Sequence, residues 1–97
     1  MKMQTLSGFK SSLSANMPPN DLSVHGKALW YAGKGEWKKA HDLIQDGIGQ
    51  PSALIHAFLH RQEGDISNAR YWYSKAASSI PDSTLDQEWE DLVRQFL

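Results

Sequence analysis

The chain has no cysteine among its 97 residues. That excludes a disulfide scaffold, thiolate metal sites and a cysteine nucleophile. It has almost no net charge, −1 at neutral pH, so nothing global draws it to nucleic acid or to an acidic membrane. No stretch approaches the roughly 18 consecutive apolar residues that a membrane span needs. The opening residues, M-K-M-Q-T-L-S-G-F-K, contain no apolar core of signal-peptide length, and the expected setting is cytoplasmic. None of the serines stands in a nucleophile-elbow sequence. The string Gly33-Lys34-Gly35-Glu36 lacks the spacing of a phosphate-binding loop. Four lysines around that turn, Lys27, Lys34, Lys38 and Lys39, stand beside Glu36 and Asp42 and do not make a nucleic-acid surface.

What is present is helical. A chain of this length makes one domain with a modest core. Residues 1–20 are Ser-rich and end in Met17-Pro18-Pro19-Asn20. They read as a mobile N-terminal arm, with a turn or two of helix docking on the body through Leu6, Phe9, Leu13 and Met17. The prolines mark the boundary of a domain over residues 21–97. Within it, spacing predicts helices near 21–32, 36–45, 52–62, 66–79 and from 82 or 83 onward. Trp37, Ala40, His41, Ile44 and Ile48 form the expected buried stripe of the second. The third is apolar on most of its surface, which suits a central position. The last carries Asp82, Asp86, Glu88, Glu90 and Asp91 against Arg94 alone. That balance reads as a solvated face opposite the apolar stripe of Leu85, Trp89, Leu92, Val93 and Phe96.

One pattern occurs twice. Gly35-Glu36-Trp37-Lys38-Lys39-Ala40 and Gly64-Asp65-Ile66-Ser67-Asn68-Ala69 each run Gly, acid, bulky apolar, two polar residues, Ala, with the glycines 29 positions apart. A period in this range marks stacked helical hairpins. These strings resemble the tetratricopeptide repeat. Ala28, Tyr31, Ala40 and Ile44 in the first copy, and Ala57, Tyr73, Ala76 and Pro81 in the second, fall where that family places small, aromatic and closing residues. The resemblance implies an all-α fold of two antiparallel hairpins, closed by a C-terminal capping helix that covers the last apolar face. The period is shorter than the family's 34, and two copies are fewer than the about three that a solenoid needs. The run from His56 to Tyr73, with Ala28 to His41 upstream, also resembles a group of small microbial proteins of uncharacterised function. That likeness implies no activity.

The candidate site residues cluster in the second copy: Leu54, His56, Phe58, His60, Arg61, Asn68 and Trp72. By the resemblance, Leu54, Phe58 and Arg61 line a concave groove, where Arg61 clamps a carboxylate or phosphate or else pairs with Glu63 or Asp65 at the turn. Asn68 and Trp72 form an adjacent stripe, and Trp72, like Trp30, suits either an interface or the core. His56 and His60 lie one helical turn apart. They read either as buried, hydrogen-bonded core histidines or as two metal ligands. A zinc site needs a third, and Glu63, His41 and His25 are the possibilities. The residue after the first His is Ala57, not the Glu of a hydrolytic zinc helix. The favoured reading is a non-enzymatic module that binds a protein or peptide, or a second copy of itself. It uses no cofactor and touches neither nucleic acid nor membrane. The alternative is a small metal-binding protein or enzyme built on His56, His60 and Glu63.

Overall fold

In a computed structural model of the chain, residues 5–97 are described, and residues 1–4 of the expected arm lie outside them. The fold is all-α. Its helices are α1 (Leu6–Ser12), α2 (Val24–Gly33), α3 (Trp37–Ile44), α4 (Gln50–Gln62), α5 (Ile66–Lys75) and α6 (Leu85–Phe96). The pairs α2–α3 and α4–α5 are antiparallel hairpins, and α3 packs on α4. Helix α4 touches α2, α3, α5 and α6, the central position that its apolar surface predicts.

The two Gly-acid turns close the hairpins in the same way. Gly35 has φ +79° and Gly64 has φ +89°, the left-handed region where glycine has no side-chain penalty. The amide after each glycine reaches back five residues, Glu36 N–H to the Tyr31 carbonyl and Asp65 N–H to the His60 carbonyl, both at 2.9 Å. The glycine amides bond to Ala32 and Arg61. This is the Schellman arrangement, which satisfies the last carbonyls of the helix. A third copy ends α5 with no glycine. Ser78 N–H bonds to the Tyr73 carbonyl at 2.9 Å, and Ala77 takes the left-handed position at φ +55°. Helix α5 therefore stops at Lys75, short of the expected Ser79.

The other boundaries move for identifiable reasons. Ser23, in extended backbone, accepts from Gly26 N–H, and Thr84 accepts from Gln87 N–H. Each is an N-cap, so α2 and α6 begin later than Asp21 and Ser83 suggest. Helix α4 begins earlier than Ser52, since Pro51 fits in its first turn. Ile48, expected in the buried stripe, is 91% exposed. Helix α3 ends at Ile44, so the helical spacing no longer applies at Ile48.

The segment read as an N-terminal arm carries α1, which sends Phe9 into the core against Trp89. Trp30 is fully buried, and its Nε1–H donates to Ser12 Oγ at 3.0 Å. Lys34 Nζ donates to the Leu13 and Ala15 carbonyls just after α1.

Helix α6 lies elsewhere than expected. A helix that caps the stack belongs on the last hairpin alone. Here α6 packs chiefly across the first helices of both hairpins, α2 and α4. Trp89, Leu92 and Val93 join Leu29, Phe58 and Leu59 in the main core. Trp89 Nε1–H donates to the Leu29 carbonyl at 2.8 Å. Gly33 leaves room for the indole, since a Cβ there would sit 2.7 Å from Trp89 Cζ2. Glu88 anchors the other end. It accepts from Arg61 Nη1 at 2.7 Å and from the Tyr73 hydroxyl at 2.5 Å, while Arg61 Nη2 donates to the Ser83 carbonyl. Burial first, then the Glu88 carboxylate, push the Tyr73 phenol well above its usual range, so it stays a donor.

Two stability effects are expected. Arg61→Met leaves the Glu88 carboxylate buried without its counter-charge and should cost about 3–5 kcal/mol, measured by urea unfolding. Ala77→Gly relieves the left-handed strain and should gain about 0.5–1 kcal/mol in the same assay.

Candidate metal centre

Two helices, α3 and α4, bring three histidines together. Trp37, Ala40 and Ile44 turn the inner face of α3 toward the body, with Ala40 and Ile44 fully in the core. The Trp37 indole N–H donates to the Leu59 carbonyl on α4 at 2.6 Å. That bond holds α3 against α4 and presents His41, one turn beyond Trp37, to the α4 surface. On α4, Ile55, Phe58 and Leu59 face the main core, and His56 and His60 share a neighbouring face, both buried.

The rings then meet. His41 Nε2 lies 3.1 Å from His56 Nε2. His56 and His60 are near-parallel at 4.9 Å between centroids, and His41 is edge-on to His60 at 5.5 Å. One ring nitrogen from each of the three lies within 4.8 Å of the others. Two indoles enclose the group. Trp37 stacks on His41 at 4.7 Å, and Trp72 of α5 stacks on His56 at 3.9 Å.

Hydrogen bonding sets the tautomer of His60. Its Nδ1 faces Glu63 Oε2 at 2.8 Å, and its Nε2 faces Asn68 Nδ2 at 3.4 Å. A carboxylate accepts and an amide NH₂ donates, so His60 carries its hydrogen on Nδ1 and keeps a lone pair on Nε2. Between His41 and His56 a single hydrogen lies between two Nε2 atoms. Burial, then the charge that a protonated His41 or His60 would carry, lowers His56 to about 4. Burial, then His60, also lowers His41, against the opposing pull of Asp42 and Glu63. Both are neutral imidazoles at neutral pH.

Chemically, the arrangement offers ring nitrogens from two different hairpins, the His41–His56 pair at a spacing a small cation bridges and the third within 4.8 Å. With metal–nitrogen bonds of about 2.0–2.1 Å, two tetrahedral ligands stand about 3.3 Å apart, close to the His41–His56 separation. Glu63 behind His60 reproduces the carboxylate–imidazole pairing that orients metal-binding histidines. His60, Glu63 and Asp65 form a second convergent group, with both acids exposed.

Of the residues singled out in the sequence, His56, His60, Asn68 and Trp72 come together here, with His41 and Glu63 of the possible third ligands. Leu54, Phe58, Arg61 and His25 do not. Phe58 is 1% exposed in the main core, Leu54 packs partly buried against both cores, and Arg61 is committed to Glu88 and Ser83. Helix α6 lies over the side of α4 that carries Phe58 and Arg61, so Leu54, Phe58 and Arg61 do not share one groove face. Arg61 pairs with neither Glu63 nor Asp65 among its bonds to side chains. His25 sits apart, its Nε2 3.0 Å from Ser52 Oγ and its ring on Phe96. His41 is the third histidine of the group. The signal for it was the hairpin order itself, since the second helix of one hairpin packs on the first helix of the next.

No helix among the described residues is long and apolar enough to cross a membrane. Comparison of the chain with protein-family models, with curated proteins and with solved structures finds no match.

The lowered histidines make the fold acid-sensitive. The unfolded chain takes up protons near pH 6.5, and the folded His56 resists until about pH 4. Stability is therefore complete above pH 6.5 and falls as pH drops through that window. Thermal melts of metal-free protein between pH 7 and 5 should show a falling midpoint. His56→Gln should flatten the slope. Glu90, lowered by its hydrogen bond from Lys10, stabilises the fold at neutral pH and adds to the loss only at more acid pH, as pH falls through and below the usual carboxylate range.

Proposed function

We propose that the protein is a small metal-binding helical domain in which His41, His56 and His60 hold a divalent transition-metal ion. The observation that carries this is the convergence of three imidazoles, drawn from both hairpins, in a single cluster between two indoles. Imidazole nitrogens suit zinc, copper, nickel and iron. With no thiolate in the chain, and with the His41–His56 nitrogens at a tetrahedral separation of 3.1 Å, zinc is the best fit. Histidine ligands must be unprotonated, and burial already keeps His41 and His56 so. The cation would replace the hydrogen between their Nε2 atoms and displace Asn68 from His60 Nε2.

The hairpins themselves we read as a shortened pair of tetratricopeptide-type repeats, supported by the matching turns at Gly35 and Gly64. In that frame the ion sits at the joint between repeats. His41 belongs to the first hairpin, His56 and His60 to the second. A bound ion therefore staples the hairpins together, and its affinity appears as folding stability.

Zinc titration of protein purified without a polyhistidine tag tests this directly. One equivalent should bind. Zinc at 100 times its dissociation constant should stabilise the fold by about 2.7 kcal/mol, a rise in melting temperature on the order of 10 °C. His41→Gln and His60→Gln should each abolish that rise. Glu63→Gln should keep binding but weaken it by about 10–100-fold. A melting temperature indifferent to zinc and chelator, or a rise that survives both histidine substitutions, would overturn the assignment.

A further inference from the structure

We infer that the metal centre is open, its fourth coordination position taking an exchangeable small anion of carboxylate or azide type. The inference rests on the three-histidine reading above and says how that site is completed.

Donor count comes first. A tetrahedral ion held by three imidazoles needs one more ligand. Glu63 is the nearest carboxylate, but it is tied to Nδ1 of His60 at 2.8 Å. The two nitrogens of an imidazole point in divergent directions. A carboxylate in line with Nδ1–H is therefore turned away from an ion on Nε2. Asp42 is exposed and paired with Lys38 at 3.2 Å. Asn68 approaches Nε2 of His60 with its amide nitrogen, a donor of hydrogen and not a ligand atom.

Charge points the same way. A divalent ion on three neutral imidazoles carries two positive charges into a site walled by Trp37 and Trp72. Glu63 offsets one of them from behind His60. The other remains in surroundings that solvate charge poorly, where an unpaired charge is costly. An anion in the fourth position neutralises it and completes the coordination in one step.

Access is available on one side. His56 and His60 are buried, but His41 is only half-buried and Glu63 is exposed. His41 and the α4–α5 turn are thus the side of the cluster nearest to solvent. A structural zinc site fills all four positions with side chains, whereas three protein ligands leave one for an exogenous group.

Cobalt(II) substitution reads the fourth position through its visible ligand-field bands. Sodium azide, then sodium acetate, would be titrated into the cobalt-loaded full chain at constant ionic strength with perchlorate. Each should produce a saturable shift in the bands with cobalt still bound at one per chain. Glu63→Gln should weaken cobalt by about 10–100-fold and retain the anion response. Bands unmoved by either anion, with cobalt retained, would show the position closed by a side chain and overturn the proposal. So would an anion response that appears only in Glu63→Gln, because Glu63 would then be the fourth ligand. A chain that takes up no cobalt fails at the earlier step, the three-histidine site itself.

Discussion

The seating of α3 on α4 is the contact on which the site depends. Its centre is the Trp37 indole, donating to the Leu59 carbonyl at 2.6 Å. A buried indole N–H needs a partner, and the final turn of α4 offers one. Once that bond forms, helix geometry puts His41 one turn further along the same face, against His56. The stack of Trp37 on His41 and of Trp72 on His56 then limits how the rings can turn. The triad is thus a consequence of hairpin stacking. Neither hairpin contains it alone.

Helix α6 determines what the remaining surface can do. By lying across α2 and α4 it buries Phe58 and draws Arg61 into the Glu88–Tyr73 network. A cavity remains at that junction, about 470 Å³, lined by residues of α1, α2, α4 and α6. Two acids on its rim, Asp86 and Glu90, belong to α6, and Glu90 is bridged to Lys10. The C-terminal helix of the chain thus covers much of the face formed by α2 and α4 and leaves the cavity at its edge. The histidine cluster lies on the side of α4 that faces α3 and α5.

Much of the architecture was legible in the sequence, and the exceptions share a cause. Gly35 and Gly64 announce their turns because glycine is the residue that left-handed backbone favours. Ala77 occupies the same conformation without that mark, so the end of α5 was hidden. His56 and His60 were visible as a pair because i, i+4 spacing is local. His41 comes from another helix, and only the packing of α3 on α4 selects it over His25, which bonds to Ser52. By the repeat resemblance, Arg61 belongs on a groove stripe with Leu54 and Phe58, or else in a pair with Glu63 or Asp65 at the turn. Its partner Glu88 lies 27 residues away, and local spacing carries no information about such a pairing. The acids of α6 read as a solvated face, yet Glu88 among them is buried. Local rules thus recover turns and helix faces, and fail wherever two helices distant in sequence share one interaction.

The most direct test of the metal centre is long-range proton–nitrogen NMR of the four histidine rings, recorded before and after one equivalent of zinc. His25 lies outside the cluster and serves as the internal control. The expected result is a change at one ring nitrogen in each of His41, His56 and His60, with His25 unmoved. Rings of the triad that keep their original nitrogen shifts, or changes confined to His25, would contradict the assignment.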